Sequence, residues 1–243
     1  MKDIILSAHQ PAYLPWLGYF HKMALSDIFV ILDDVQFEKN SFINRNKIKT
    51  SRGPIWLTVP VLISGHTTLT ISDMKINNTA NWREKHWKAI YLNYKKAPYF
   101  TKYSAFFEDL YKKEWHRLSD LLAYTTDFFV KELKLGTVLY KQSDLQIKSK
   151  KQQLILDLCA NFKADVFVCG AMGRNYIDAA DFSKHGTNVV FQEYKHPVYP
   201  QLWSGFVPNL SIIDFLFNIE NDRLSEIMVD KNITQNNIRR SLL

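Results

Sequence analysis

Short apolar runs separated by polar stretches set the first reading of this chain. Residues 4–6, 28–32 and 166–169 are apolar without alternation, the pattern of strands buried on both faces of a parallel sheet. Between the first two lie residues 16–25, about the length of a crossover helix, so residues 4–32 predict a βαβ unit. Residues 55–59 and 188–191 are further strands. Residues 66–72 (His-Thr-Thr-Leu-Thr-Ile-Ser) alternate and are β-branched, as expected of an edge strand.

The middle of the chain changes period. Trp87, Ile90, Tyr91 and Tyr94 fall at helical spacing, as do Tyr103, Phe106, Phe107, Leu110 and Tyr111. Leu118, Leu121, Leu122, Phe128 and Phe129 continue the pattern. A strand at 136–140 and a helix near 150–161 then lead into the run ending at Cys169. With no repeat, low-complexity tract or linker, residues 1–243 predict one α/β domain. Its sheet is mainly parallel with Rossmann-like topology, and it carries a helical insertion at about 81–133.

Composition narrows the class. The 243 residues are 47% hydrophobic, a globular balance, and no apolar run approaches the roughly 20 residues that span a bilayer. The opening segment is too short in apolar residues for a signal peptide, so a cytoplasmic location is expected. Cys159 and Cys169 fit neither a disulfide framework nor a zinc spacing and read as buried thiols. Lys and Arg outnumber acids by 31 to 24, a net +7 that favours anionic partners. The bases are dispersed and no nucleic-acid motif is present, so a specific nucleic-acid partner is not expected. A homo-oligomer stays open.

Candidate chemistry concentrates at the predicted carboxyl ends of the strands, where open α/β sheets bind ligands. His9, Gln10, Tyr13 and Trp16 lie in a stiff, two-proline connection after the first strand, with His9 as a general base or phosphate donor. Asp33 and Asp34 follow the second strand and could orient a ribose or take a proton. The segment 40–52 reads as a basic loop: Asn44, Arg45 and Lys47 suit phosphate or carboxylate. Arg174 follows a Gly-x-x-Gly turn after residue 169. His196, Tyr199 and Gln201 repeat the palette of residues 9–13, and Ser211 reads as a helix N-cap with a secondary role at a substrate phosphate. No G-x-G-x-x-G, Walker A, G-x-S-x-G or H-E-x-x-H motif occurs. A metal site could be drawn from His9, His196 and the aspartates, but no spacing establishes one and none is expected.

The blocks His9-Gln-Pro-Ala-Tyr-Leu-Pro-Trp-Leu-Gly-Tyr-Phe, Ser26-Asp-Ile-Phe-Val-Ile-Leu-Asp-Asp-Val-Gln-Phe, Asn44-Arg-Asn, Trp56-Leu-Thr-Val-Pro and His196-Pro-Val-Tyr-Pro-Gln resemble the WbqC-like family of bacteria. So does Pro208-Asn-Leu-Ser-Ile-Ile-Asp-Phe-Leu-Phe-Asn, and the likeness runs from about residue 4 to about 220. The resemblance implies a role in O-antigen or other surface-polysaccharide synthesis, as a transferase placing glycine or another acyl group on a nucleotide-linked amino sugar. On that reading His9, Asp33 and Arg45 are catalytic, with the other residues named binding substrate. ATP and Mg²⁺ would be needed if the acyl donor is activated in place. A looser likeness is to nucleotidylyltransferases and pantothenate synthetase. Their His-x-Gly-His motif is not matched here, since the first histidine after Gly18 is His21. The alternatives are a nucleotidylyl- or adenylyltransferase acting on a phosphosugar, and a non-catalytic nucleotide-sugar-binding protein.

Overall fold

Three short, mainly apolar strands form the buried centre of a five-stranded sheet, and the two strands at its edges are more exposed. The computed structural model describes residues 3–62 and 68–241. Strands β1 (Ile5–His9) and β2 (Ile28–Ile31) flank helix α1 (Leu17–Ala24), giving the expected βαβ unit. A hairpin follows, β3 (Arg45–Thr50) and β4 (Gly53–Thr58), then helices α2 (Trp82–Tyr94), α3 (Phe100–Lys112) and α4 (Leu118–Glu132). The chain returns through β5 (Val138–Lys141), α5 (Lys151–Phe162), β6 (Val166–Gly170), α6 (Ala179–Lys184) and β7 (Asn188–Gln192). Three short helices close it: α7 (Ile212–Asn218), α8 (Leu224–Val229) and α9 (Gln235–Arg240).

The sheet is parallel throughout, with order β5-β2-β1-β6-β7. The chain first builds outward from β1 through β2 to β5, then crosses to build the other half through β6 and β7. That is the Rossmann-like order, and its reversal falls between β1 and β6. The insertion expected at 81–133 is α2–α4. Its apolar faces join α1, the hairpin and α7 in the largest core cluster, while β1, β6, α5 and α6 form a second cluster on the other side of the sheet.

Several expectations are revised by particular side chains. Segment 40–52 is not a loop throughout: β3 pairs antiparallel with β4 from Arg45↔Thr58 to Thr50↔Gly53. Its alternation is disguised, since the buried positions include Asn46 beside Ile48. The Asn46 amide is satisfied by the Leu14 carbonyl at 2.7 Å, so a polar residue can face the core at little cost. The edge strand expected over 66–72 is also replaced. Residues 66 and 67 lie outside the described residues. Thr70 makes one bridge to Gln36, then Ile71–Asp73 forms a single tight helical turn. The Thr70 hydroxyl donates to Asp73 at 2.8 Å, a local bond that competes with extending a strand. In α2 the buried stripe is Trp82, His86, Ile90 and Tyr94, every fourth residue, while Tyr91 turns outward. Cys159 and Cys169 are buried free thiols, as expected.

His86 belongs to a buried hydrogen-bonded chain with consequences for stability. Tyr111 and Tyr13 hydroxyls lie 2.5 Å apart, and the Tyr13 hydroxyl is hydrogen-bonded to His86 Nδ1 at 2.9 Å. Burial pushes the His86 pKa down to about 4. The unfolded chain therefore takes up a proton that the folded chain refuses. Stability from this group is complete above pH ~6.5 and is lost as pH falls toward about 4, an effect on the order of 3 kcal/mol. Urea unfolding at pH 7 and pH 4.5 is expected to show this loss, and His86→Phe to flatten it. An unchanged slope in the variant would assign acid sensitivity elsewhere.

Candidate functional site

The register of the sheet opens a crevice at its reversal point. The β1–β2 ladder runs to His9↔Ile31 and the β6–β7 ladder to Gly170↔Gln192, but β1 and β6 pair only as far as Ser7↔Val168. The two halves of the sheet part beyond that pair. His9, the last residue of β1, is exposed at this opening. Its Nδ1 lies 2.9 Å from the Gln10 carbonyl, which can only accept, so Nδ1 carries the proton and Nε2 presents a lone pair. The ring rests edge-on against Tyr19, 5.1 Å between centroids. Protein crowding lowers the His9 pKa first, and the Lys22 charge lowers it further. A ring this open keeps part of its hydration, and both causes act in one direction: the imidazole is neutral at neutral pH.

The connection after His9 is held on three sides. Tyr13 N–H donates to the Phe42 carbonyl at 3.1 Å, Asn46 reaches the Leu14 carbonyl, and Ile212 N–H reaches the Pro15 carbonyl at 2.8 Å. Ser211 caps α7, bridges Trp16 and donates its N–H to the Lys47 carbonyl at 2.9 Å. The half-buried Trp16 ring lies over Gly18 and meets Tyr194 edge-on at 5.5 Å. Tyr194 leads on to His196 at 6.1 Å. His196 donates from Nδ1 to the Pro197 carbonyl at 2.9 Å, leaving a buried Nε2 without a partner. The end of β7 ties in as well, since Gln192 donates to the Gly18 carbonyl and to His21 Nδ1. Thus Trp16, His196 and Ser211 are linked through Tyr194 and a backbone bridge, while His9 stands at the end of β1 against Tyr19 with Gln10 half-buried next to it.

Other anticipated residues are occupied. Tyr13 is fully buried with its hydroxyl between His86 and Tyr111. Asp33 is buried, and its carboxylate accepts from the Ser143 N–H at 2.9 Å and hydroxyl at 2.8 Å. Asp34 pairs with Lys148 at 2.7 Å. Asn44 is buried against the Val59 carbonyl. Arg45 and Lys47 lie over Trp56, at 4.4 and 4.8 Å from the ring centroid. Arg174 pairs with Glu193 on the surface and covers Phe191. Tyr199 donates to Asp214 at 2.9 Å, and Gln201 accepts from Lys49 and from the Val207 N–H.

Sequence reasoning passed over Lys22. It is 4% exposed, and its Nζ donates to the Ala8 carbonyl at 2.8 Å, the last β1 carbonyl before His9. One signal was available: Lys22 is flanked by Phe20, Met23 and Leu25 in a helix that buries every residue from Leu17 to Met23. Tyr19 was also passed over. It is 2% exposed and its hydroxyl has no partner. Among the described residues no group of three or more His, Cys, Asp or Glu is placed to hold a metal ion. Among them, too, no helix is long and apolar enough to cross a membrane.

Fold and strand register together define an α/β protein whose parallel sheet parts at its reversal point. The model of the WbqC-like protein family matches residues 10–226, so the chain belongs to that family. It is 35% identical over 212 residues to the uncharacterized protein Rv1507c of Mycobacterium tuberculosis, covering 86% of this chain and 91% of that one. No solved structure matches it.

Gly18 tests how firmly Trp16 is seated. A Cβ there would stand 2.2 Å from the indole ring. Helix propensity alone favours Gly18→Ala by up to about 1 kcal/mol. Overpacking costs about 1–3 kcal/mol, so net destabilisation is expected in urea unfolding. A stabilised variant would mean that the ring yields freely.

Proposed function

We propose that the protein is a group-transfer enzyme of bacterial surface-polysaccharide synthesis, acylating the amine of a nucleotide-linked amino sugar, with glycine or another amino acid as the acyl group. The observation that carries this reading is His9: solvent-open, neutral, with Nε2 unencumbered at the crevice where an open α/β sheet binds its ligands. Family membership supports the polysaccharide setting. In the step envisaged, the sugar amine attacks the acyl carbonyl carbon, its proton passes to His9 Nε2, and the donor's leaving group departs with its bonding electron pair. Trp16, Tyr194 and His196 offer aromatic and polar surface to the sugar or base. Arg45 and Lys47 present positive charge beside Trp56 for the anionic part. Asp33 ties the end of β2 to the turn after β5 through Ser143 rather than taking a proton itself.

The test is turnover on UDP-, GDP- and dTDP-linked amino sugars, with glycine, ATP and Mg²⁺ or with preformed acyl donors. His9→Gln is expected to cut turnover by about 10²–10⁴-fold while retaining nucleotide-sugar binding. Because the histidine pKa is lowered, wild-type turnover is expected to hold below pH 6.5 rather than fall there. Binding without turnover across the panel would replace this reading with the non-catalytic one. Release of pyrophosphate without amide formation would point instead to nucleotidylyl transfer.

A further inference from the structure

The least compensated charge at the crevice is Lys22. Its ammonium enters the gap where β1 and β6 part and bonds the carbonyl of Ala8, which has no β6 partner beyond Ser7↔Val168. That one bond engages one of its three donors. Among the described residues no carboxylate pairs with it. The groups facing it are His9 on β1 and the Cys169 thiol at the end of β6, with the Tyr176 hydroxyl 3.9 Å beyond the sulfur. None is an anion at neutral pH: the thiol is buried and its pKa raised, and the imidazole is neutral. A buried cation without a counter-charge is strongly unfavourable and is expected to be paired. The Tyr19 hydroxyl is likewise buried without a partner among the described residues, on a ring that packs edge-on against His9.

We propose that Lys22 is the anion-binding residue of the crevice, its two unused donors receiving a phosphate or carboxylate oxygen of the ligand that enters beside His9. The inference deepens the proposed function by adding, at the β1–β6 gap, a buried anion contact to the charge the hairpin presents. It does not depend on turnover, so either reading can fail alone.

The probes are inorganic pyrophosphate and UDP for a phosphate, and acetate for a carboxylate, each followed by calorimetry and thermal shift on the wild-type chain. Lys22→Met keeps the length of the side chain and removes its charge. It is expected to weaken the preferred anion by about tenfold or more, while loss of the uncompensated charge and loss of the Ala8 carbonyl's partner move the melting temperature in opposite directions. Arg45→Ala is expected to weaken the same anion less. Wild-type affinity is expected to decline as pH rises through about 8, where burial has placed the Lys22 pKa, and Lys22→Arg to abolish that decline. Pyrophosphate or UDP against acetate separates the two sources of charge. Binding retained in Lys22→Met, whatever its melting temperature, would make Lys22 a structural peg for Ala8 and overturn the proposal. So would a wild-type chain that none of the three anions binds.

Discussion

The early end of the β1–β6 ladder is the constraint on which the site depends. In a parallel sheet every unpaired carbonyl needs a substitute partner, and past Ser7↔Val168 the Ala8 carbonyl has lost its neighbour. The substitute is a lysine from α1, not a backbone amide. One unmade sheet bond therefore does three things. It opens the crevice, draws a cation into it, and leaves His9 at the rim on the half of the sheet that keeps its pairing.

Rigidity around that opening comes from polar groups placed inside rather than from apolar packing alone. Asn46 and Pro15 hold the connection to α1 against the hairpin and α7, and Gln192 locks the far end of β7 to the start of α1. Deeper in, Asp214 accepts from Tyr94 and Tyr199, and Lys49 is enclosed near the same loop with Gln201. Such networks are costly when incomplete and specific when complete. They hold the hairpin, the 194–211 segment and α1 in one arrangement, which is what places Trp16 and His196 on the same side of the crevice.

The legible part of the fold was the part built from uninterrupted apolar runs. Strands β1, β2 and β6, helix α1 and the helical insertion were visible because their buried positions are mainly apolar and recur at the period of their element. The hairpin was obscured because its inward positions include Asn46 and its concealed positions include Lys49, and a buried amide or amine looks like a solvated one until its partner is known. The site divided the same way. His9 stood out by lying at a strand end in a two-proline connection. Tyr13, in the same connection, turned inward to pair with Tyr111 and His86, a partner 73 residues away that no local pattern reveals. Lys22 stayed hidden for the opposite reason: a lysine in a helix ordinarily faces water.

Net charge and local charge make different contributions here. The +7 balance gives a long-range attraction for anions that physiological salt screens over about 8 Å. Several of the cations that make up that surplus are already engaged at the surface, Arg174 with Glu193 and Lys148 with Asp34, or lie over rings as Arg45 and Lys47 do. A cation in the interior acts where water screens little, so a single ammonium at the β1–β6 gap outweighs several on the exterior in choosing what binds. The sheet topology decides where a ligand can enter. Under the proposed role of Lys22, one uncompensated charge beside one neutral imidazole sets which end of that ligand goes first.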